Sequence, residues 1–259
     1  MKHSQIEKLK EFLDQKVIAF NQPSFIESDP ISIPHLFTLK EDREICGFLT
    51  AIISWGQRPT ILKNAAWLME RMDNSPYSFI KDHKSKDLKQ FKTFVHRTFN
   101  NIDCIYFIQS LKNIYLNHHG LEASLSNLHK KYGSMDLTIA NWKDLFFSLP
   151  HETRTEKHIS NPQKNSSAKR INMFLRWMIR NDKSGVDFGI WKSMKPSMLY
   201  APLDLHSGRV ARSLGLLERK QDDWKAVSEL TVNLRKFDPI DPVKYDFALY
   251  GLGIYEKFK

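Results

Sequence analysis

The sequence predicts an all-α protein. Apolar residues recur at helical spacing in one segment after another, from Ile6 to Leu252. Turn signals such as Asp29-Pro30 and Asp238-Pro239-Ile240-Asp241-Pro242 separate the segments. With 259 residues, 41% hydrophobic and 12% aromatic, the chain can bury a substantial core, either as one large domain or as two lobes.

Residues 5–20 place Ile6, Leu9, Phe12, Leu13, Val17 and Phe20 on one helical face, so an amphipathic opening helix is expected to pack on the body. Residues 21–39 contain Pro23, Pro30 and Pro34, which predicts an extended or turning segment rather than a helix. Residues 41–72 read as two helices joined at Ser54-Trp55-Gly56-Gln57-Arg58-Pro59-Thr60; the first, 45–53, is apolar nearly all round and therefore core. The polar, Lys-rich stretch 74–98 reads as surface loop and short helix. Ile105, Ile108, Leu111, Ile114 and Tyr115 mark a long helix over 102–118, with Gly120 placed to close it as the C′ residue. Two short helical patterns fill 121–149, and 150–167 is the most loop-like stretch of the chain.

In the second half, Ile171, Phe174, Trp177 and Met178 form a buried stripe on a helix whose first turn holds Lys169. Residues 181–201 carry Gly185-Val186-Asp187-Phe188-Gly189-Ile190-Trp191. Next comes Pro202-Leu203-Asp204-Leu205-His206-Ser207, then a basic helix over 208–216 with Val210, Leu214 and Leu217 inward and Arg209 and Arg212 on another face. Taken by itself, Asp204 reads as a helix N-cap, accepting a backbone N–H two or three residues on. Lys169 by itself reads as a solvated lysine, although a cation at a helix N-terminus opposes the dipole. Further helices are predicted from Trp224 to Phe237 and from Val243 to Leu252.

The formal charge is +10, from 39 Lys and Arg against 29 Asp and Glu spread along the chain. Nucleic acid is the most economical partner for such a surface, although charge alone fits a generally basic protein equally well. Cys46 and Cys104 are far apart and in no ligand spacing, which excludes a disulfide framework and a four-cysteine cluster and suits a reducing cytoplasm. The polar start and the lack of a long apolar run predict neither export nor membrane insertion. The adjacent His118 and His119 have no third ligand in suitable spacing and no His-Glu-x-x-His motif is present, so no metal site is expected.

Three stretches together resemble the helix-hairpin-helix DNA glycosylases, the superfamily of endonuclease III and the 8-oxoguanine glycosylases. They are Leu203-Asp204-Leu205-His206 ahead of Arg209-Val210, Lys169 with Asn172 and Leu175 at offsets of three and six, and Ser54 and Gln57 at the joint of the early helices. The resemblance runs in order over roughly residues 42–255. It implies a two-lobed helical fold, lobe one about 42–168 and lobe two about 1–41 plus 169–259, with a site between the lobes. There Lys169 is the matched nucleophile, Asp204 the matched carboxylate, and Gln57 the residue that fills the gap left by an extruded base. Nucleic-acid contacts are expected from Gln57, Arg58, Lys164, Arg170, His206 and Arg209. Trp55 and Trp191, with Trp177, are candidates for the base pocket. From the residues alone, Gln57 equally caps a turn and the tryptophans are core.

The chain also departs from the family pattern. Asn161-Pro162-Gln163-Lys164-Asn165-Ser166 stands where the hairpin falls but lacks its Gly-x-Gly, so the hairpin is degenerate and its phosphate anchoring is in question. Lys169 and Asp204 are 35 positions apart, a longer separation produced by an insertion over 181–201, which is a pocket wall, a lid or a loop over the core. Trp55-Gly56 adds a residue near Gln57. The chain reaches Lys259 without the cysteines of an iron–sulfur loop, so neither a cluster nor another cofactor is expected. The implied activity is excision of a flipped damaged base from duplex DNA by a monomeric N-glycosylase, with a Schiff-base lyase step. The rivals are an inactive nucleic-acid-binding protein of the same fold and a basic helical scaffold for protein partners.

Overall fold

The computed structural model describes residues 3–256 and 258. Among the described residues the chain is predominantly helical: α1 (His3–Phe20), α2 (Pro23–Ser28), α3 (Ser32–His35), α4 (Lys40–Ile53), α5 (Arg58–Glu70), α6 (Pro76–Asp82), α7 (Asn101–Asn117), α8 (Gly120–Tyr132), α9 (Met135–Phe146), α10 (Lys169–Ile179), α11 (Leu205–Ser213), α12 (Trp224–Phe237) and α13 (Tyr245–Ile254). One small antiparallel sheet pairs β1 (Val95–His96) with β2 (Phe99–Asn100). The chain forms two compact units, Met1–Glu27 with Pro162–Lys259, and Ser28–Asn161. No described helix is long and apolar enough to cross a membrane.

In the unit Ser28–Asn161, α4 buries every residue from Glu44 to Ile53, as its all-round apolar character predicts. Phe48 on α4 meets the rings of Phe107, Trp142 and Phe146 at 6.0, 5.5 and 5.4 Å. The stretch 74–98 holds the short helix expected, α6, but is not confined to the surface: Ile80, Leu88, Phe91 and Phe94 are buried, while Lys81, Lys84, Lys86, Lys89 and Lys92 are exposed. Leu88, Phe91 and Phe94 recur every three residues, the period of the 3-10 turn observed over Asp87–Phe91, so a short tight turn suffices to sort apolar from charged.

The proline-bearing segment after α1 also differs from expectation, forming α2 and α3. Pro23 opens α2 and Pro34 is the third residue of the four-residue α3. The first turns of a helix have N–H groups with no intrahelical acceptor, so a proline there removes nothing. Gly120 is not the C′ residue of α7: His118 is the C-cap, His119 takes the left-handed conformation (φ 60°), and Gly120 opens α8.

The loop-like stretch after α9 is anchored by Asp103, the N3 residue of α7. Its carboxylate completes a capping box with Asn100. It also accepts from Thr155 Oγ1 (2.7 Å), Arg154 Nη1 (2.9 Å) and His158 Nε2 (3.1 Å), groups presented by a 3-10 turn over Thr153–His158. Asp103 is fully buried. Burial pushes its carboxyl up, but the bonds from His158, the Asn100 N–H and Thr155 outweigh burial and hold it down at about 2.

In the other unit, α1 packs along α13, with Leu13 and Val17 buried. Phe20 lies so close to Gly251 that an added Cβ would fall 2.2 Å from its ring. The expected stripe of Ile171, Phe174, Trp177 and Met178 is buried on α10. Residues 181–201 are in part a loop over the core, with Asp187, Gly189 and Trp191 drawn onto α10 and both Val186 and Trp191 buried. They strap over the end of α10, with Phe188 N–H donating to Trp177 O (2.8 Å) and Trp191 N–H to Met178 O (2.9 Å). Carbonyls left open at a helix C-terminus need such partners, and that is the structural use of the inserted chain.

Candidate active site

Lys169 is the first residue of α10 and follows Ala168, which adopts the left-handed conformation (φ 48°) and turns the chain into the helix. Asn172, one turn on, donates Nδ2 to Ser167 O at 3.2 Å and ties that turn down. Asp204 is the N-cap of α11. Its Oδ1 accepts the backbone N–H of His206 (2.9 Å) and of Ser207 (3.0 Å), while Ser207 Oγ accepts the N–H of Asp204 (3.0 Å). The second oxygen, Oδ2, faces Lys169 Nζ at 3.1 Å. Asp204 is therefore both the cap that its spacing predicts and the partner of Lys169. The two side chains keep 23% and 31% of their surface open, so the pair is reachable from solvent.

Burial pushes the Asp204 carboxyl up. The Lys169 charge and the bonds from Ser207 and Lys169 outweigh burial, and the group is held below its ordinary value. It is an anion at neutral pH. That charge also offsets the poor placement of a lysine at a helix N-terminus.

Beneath the pair lies an ionic cluster with no counterpart in the sequence reading. Arg176, two turns beyond Lys169 on α10, donates Nε to Asp187 Oδ1 (3.2 Å) and Nη1 to Asp246 on α13. Arg180 donates Nη1 to Asp187 Oδ2 (3.0 Å) and Nε to Asp241 Oδ2 (2.9 Å), and pairs with Asp182. The signal for it was the spacing of Lys169, Asn172, Arg176 and Arg180 along one helix, and an aspartate, Asp246, in an otherwise apolar one.

Among the remaining predicted residues of this unit, His206 and Arg209 are exposed on α11, Lys164 is exposed on a 3-10 turn over Pro162–Lys164, and Arg170 is half-buried. The hairpin position is thus a single tight turn. Asn165 beyond it takes φ 60° and donates Nδ2 to Asp223 Oδ2 (2.9 Å), the N-cap residue of α12. Trp177 and Trp191 are 0% and 1% exposed, Trp191 lying edge-on to Phe174 at 5.4 Å, which places both in the core rather than on the wall of a base pocket. Their apolar neighbours on the α10 stripe account for that burial.

Trp55, Gln57 and Arg58 belong to the unit Ser28–Asn161. Gln57 is the exposed N-cap of α5, and its side chain makes no capping bond. Arg58 Nη1 reaches Ser28 Oγ at 3.4 Å. Trp55 is half-buried, with the guanidinium of Arg97, at the tip of the β1–β2 hairpin, 4.8 Å from its ring centre. Gly56, the extra residue at this joint, takes φ 106° and makes the turn. Among the described residues no group of three or more His, Cys, Asp or Glu is arranged to hold a metal ion.

A helical protein with a partly open lysine–aspartate pair at two helix N-termini is the class that this fold and site define. The family described as "Protein of unknown function (DUF2400)" matches residues 29–255, and the chain belongs to it. No curated protein and no solved structure matches the chain.

Proposed function

We propose that the protein is a DNA N-glycosylase of the helix-hairpin-helix type, acting on a flipped damaged base, with Lys169 as nucleophile and Asp204 as the electrostatic carboxylate. The observation that carries this reading is the 3.1 Å approach of Lys169 Nζ to Asp204 Oδ2 across two helix starts that are 35 residues apart in sequence. Two residues singled out by resemblance meet at one partly open point. The net charge of +10 supports a polyanionic partner.

In this reading positive charge develops on the sugar as the bond from C1′ to the base breaks, and the Asp204 carboxylate stabilises it. The leaving base takes up a proton. The Lys169 amine, having released its proton to solvent, attacks C1′ and forms the new C–N bond, and ring opening yields a Schiff base from which strand scission follows. The target base leaves the stack first, which favours lesions and mispairs whose unpairing costs least. Phosphate anchoring rests on exposed cations such as Lys164 and Arg209 rather than on glycine N–H groups, because the turn before α10 has no Gly-x-Gly.

Release of free base from lesion-bearing duplexes tests this reading. Asp204→Asn keeps the capping oxygen and removes the charge, so a fall of about 100-fold or more in base release, with the fold intact, is expected. An Asp204→Asn protein as active as the parent, or a parent that binds duplex DNA without releasing any base, moves the assignment to a nucleic-acid-binding protein without this chemistry.

A further inference from the structure

Asp246 is the second residue of α13, followed by Phe247, Ala248 and Leu249, and is 7% exposed. It is bound to Arg176. Arg176 lies seven residues beyond Lys169, on the same face of α10, with Asn172 between them. The guanidinium also rests over the Phe247 ring at 4.3 Å, so α13 grips it through an anion and an aromatic face together. Close packing of α11 on α13 brings the helix that starts at Asp204 onto the same wall: a Cβ at Gly253 would lie 3.3 Å from the His206 backbone. Three helices thus each contribute an ionisable group to one cluster, Lys169 from α10, Asp204 from α11 and Asp246 from α13.

The cluster carries more acids than bases. Lys169, Arg176 and Arg180 meet Asp204, Asp246, Asp187, Asp182 and Asp241. Burying all of these carboxylates as anions is unfavourable, which favours holding a proton on the most deeply buried of those raised above their ordinary value. Burial pushes Asp246 up; Arg176 opposes this, the neighbouring Asp204 charge reinforces it, and the group sits at about 6.

We propose that Asp246 is a positioning residue of the Lys169–Asp204 site: by holding Arg176 against α13 it sets the net charge that the Lys169 amine meets. This rests on the reading of Lys169 as the reactive amine. When Asp246 is ionised, Arg176 faces two carboxylates, Asp246 and Asp187; when Asp246 carries a proton, Asp187 alone opposes the Arg176 charge, and the field at the head of α10 is more positive. Other charged groups near Asp246 are Asp187 on the strap, Arg180 at the C-cap of α10, over the Phe247 ring and paired with Asp182 and Asp241, Lys244 before α13 paired with Asp14 of α1, and His206 on α11, which packs on α13.

The test needs no DNA. The full chain is dimethylated at its lysines with ¹³C-formaldehyde and borohydride, the Lys169 signal is assigned by its loss in Lys169→Arg, and its shift is followed from pH 4.5 to 8. The expected result is an inflection near pH 6 that is lost in Asp246→Asn and kept, with a displaced midpoint, in Asp246→Glu. An inflection that survives in Asp246→Asn, one that does not move in Asp246→Glu, or none in the parent protein overturns the proposal. Should Asp246→Asn fail to fold, Asp246→Glu and the parent titration still decide it. The glycosylase reading fails separately: no base release with the inflection present removes the proposed reaction and leaves the coupling.

Discussion

Asp204 divides its two oxygens between structure and Lys169: Oδ1 caps α11 through His206 and Ser207, and Oδ2 lies 3.1 Å from Lys169 Nζ. The two roles separate by substitution. Asp204→Asn keeps an acceptor for the cap, whereas Asp204→Ala removes both cap and charge. Denaturant unfolding is expected to show Asp204→Ala about 1 kcal/mol less stable than Asp204→Asn, while both lose the charge-dependent function equally. Equal stabilities would mean that the cap contributes nothing.

Asp103 is the structural counterpart in the other unit. Asp103→Ala leaves His158 and Arg154 without their carboxylate and is expected to cost about 3–5 kcal/mol in denaturant unfolding. The acid limb carries its own signature. A carboxyl held at about 2 when folded, against an ordinary value near 3.9 when unfolded, contributes stability that is present above pH 4 and lost as pH falls towards 2, about 2.5 kcal/mol in all. Acid unfolding of Asp103→Ala is expected to lack that component.

Asp246 predicts the opposite sign. Its folded value is raised to about 6, so between pH 4 and 6 the folded protein holds a proton that the unfolded chain has released. Stability therefore falls as pH rises through this window, by up to about 3 kcal/mol, and levels off above it. The difference between parent and Asp246→Asn, measured by denaturant unfolding at pH 4.5 and 7.5, isolates this slope from the histidines. A difference that does not change with pH contradicts the assignment.

Gly251 has no room for a methyl group beside Phe20. Gly251→Ala is expected to displace Phe20 from Tyr255, its stacking partner at 5.8 Å, and to loosen α1 at a cost of about 1–3 kcal/mol. Thermal unfolding together with proteolysis near residues 20–23 would detect it; an unchanged melting temperature would rule it out.

The helices were legible because their apolar periods are long: α4, α7, α10 and α12 lie where the spacing places them. Elements with a short period, or with a proline whose position in the helix matters, are not legible in the same way. Leu88, Phe91 and Phe94 look like scattered aromatics until a 3-10 turn aligns them, and Pro23 and Pro34 look like breakers until they fall in first turns. At the site, Lys169 and Asp204 were readable as a pair only through family resemblance, since no local pattern links residues so far apart. For Arg176 and Asp246 the only signal was basic residues at helical spacing and a lone aspartate in an apolar helix, because their partnership with Asp187 depends on how α10, the strap and α13 pack. Trp191 misled for the same reason: its aromatic ring fits a pocket or a core, and packing against Phe174 decides for the core.

In the proposed reaction the Lys169 amine, next to Asp204, attacks C1′ of a damaged nucleotide. Borohydride trapping on duplexes carrying 8-oxoguanine, an oxidised pyrimidine or an abasic site measures this directly. A covalent protein–DNA adduct is expected with the parent protein, none with Lys169→Ala, and a much reduced yield with Asp204→Asn. An adduct that persists in Lys169→Ala, or no adduct and no base release on any duplex despite tight binding, would contradict it.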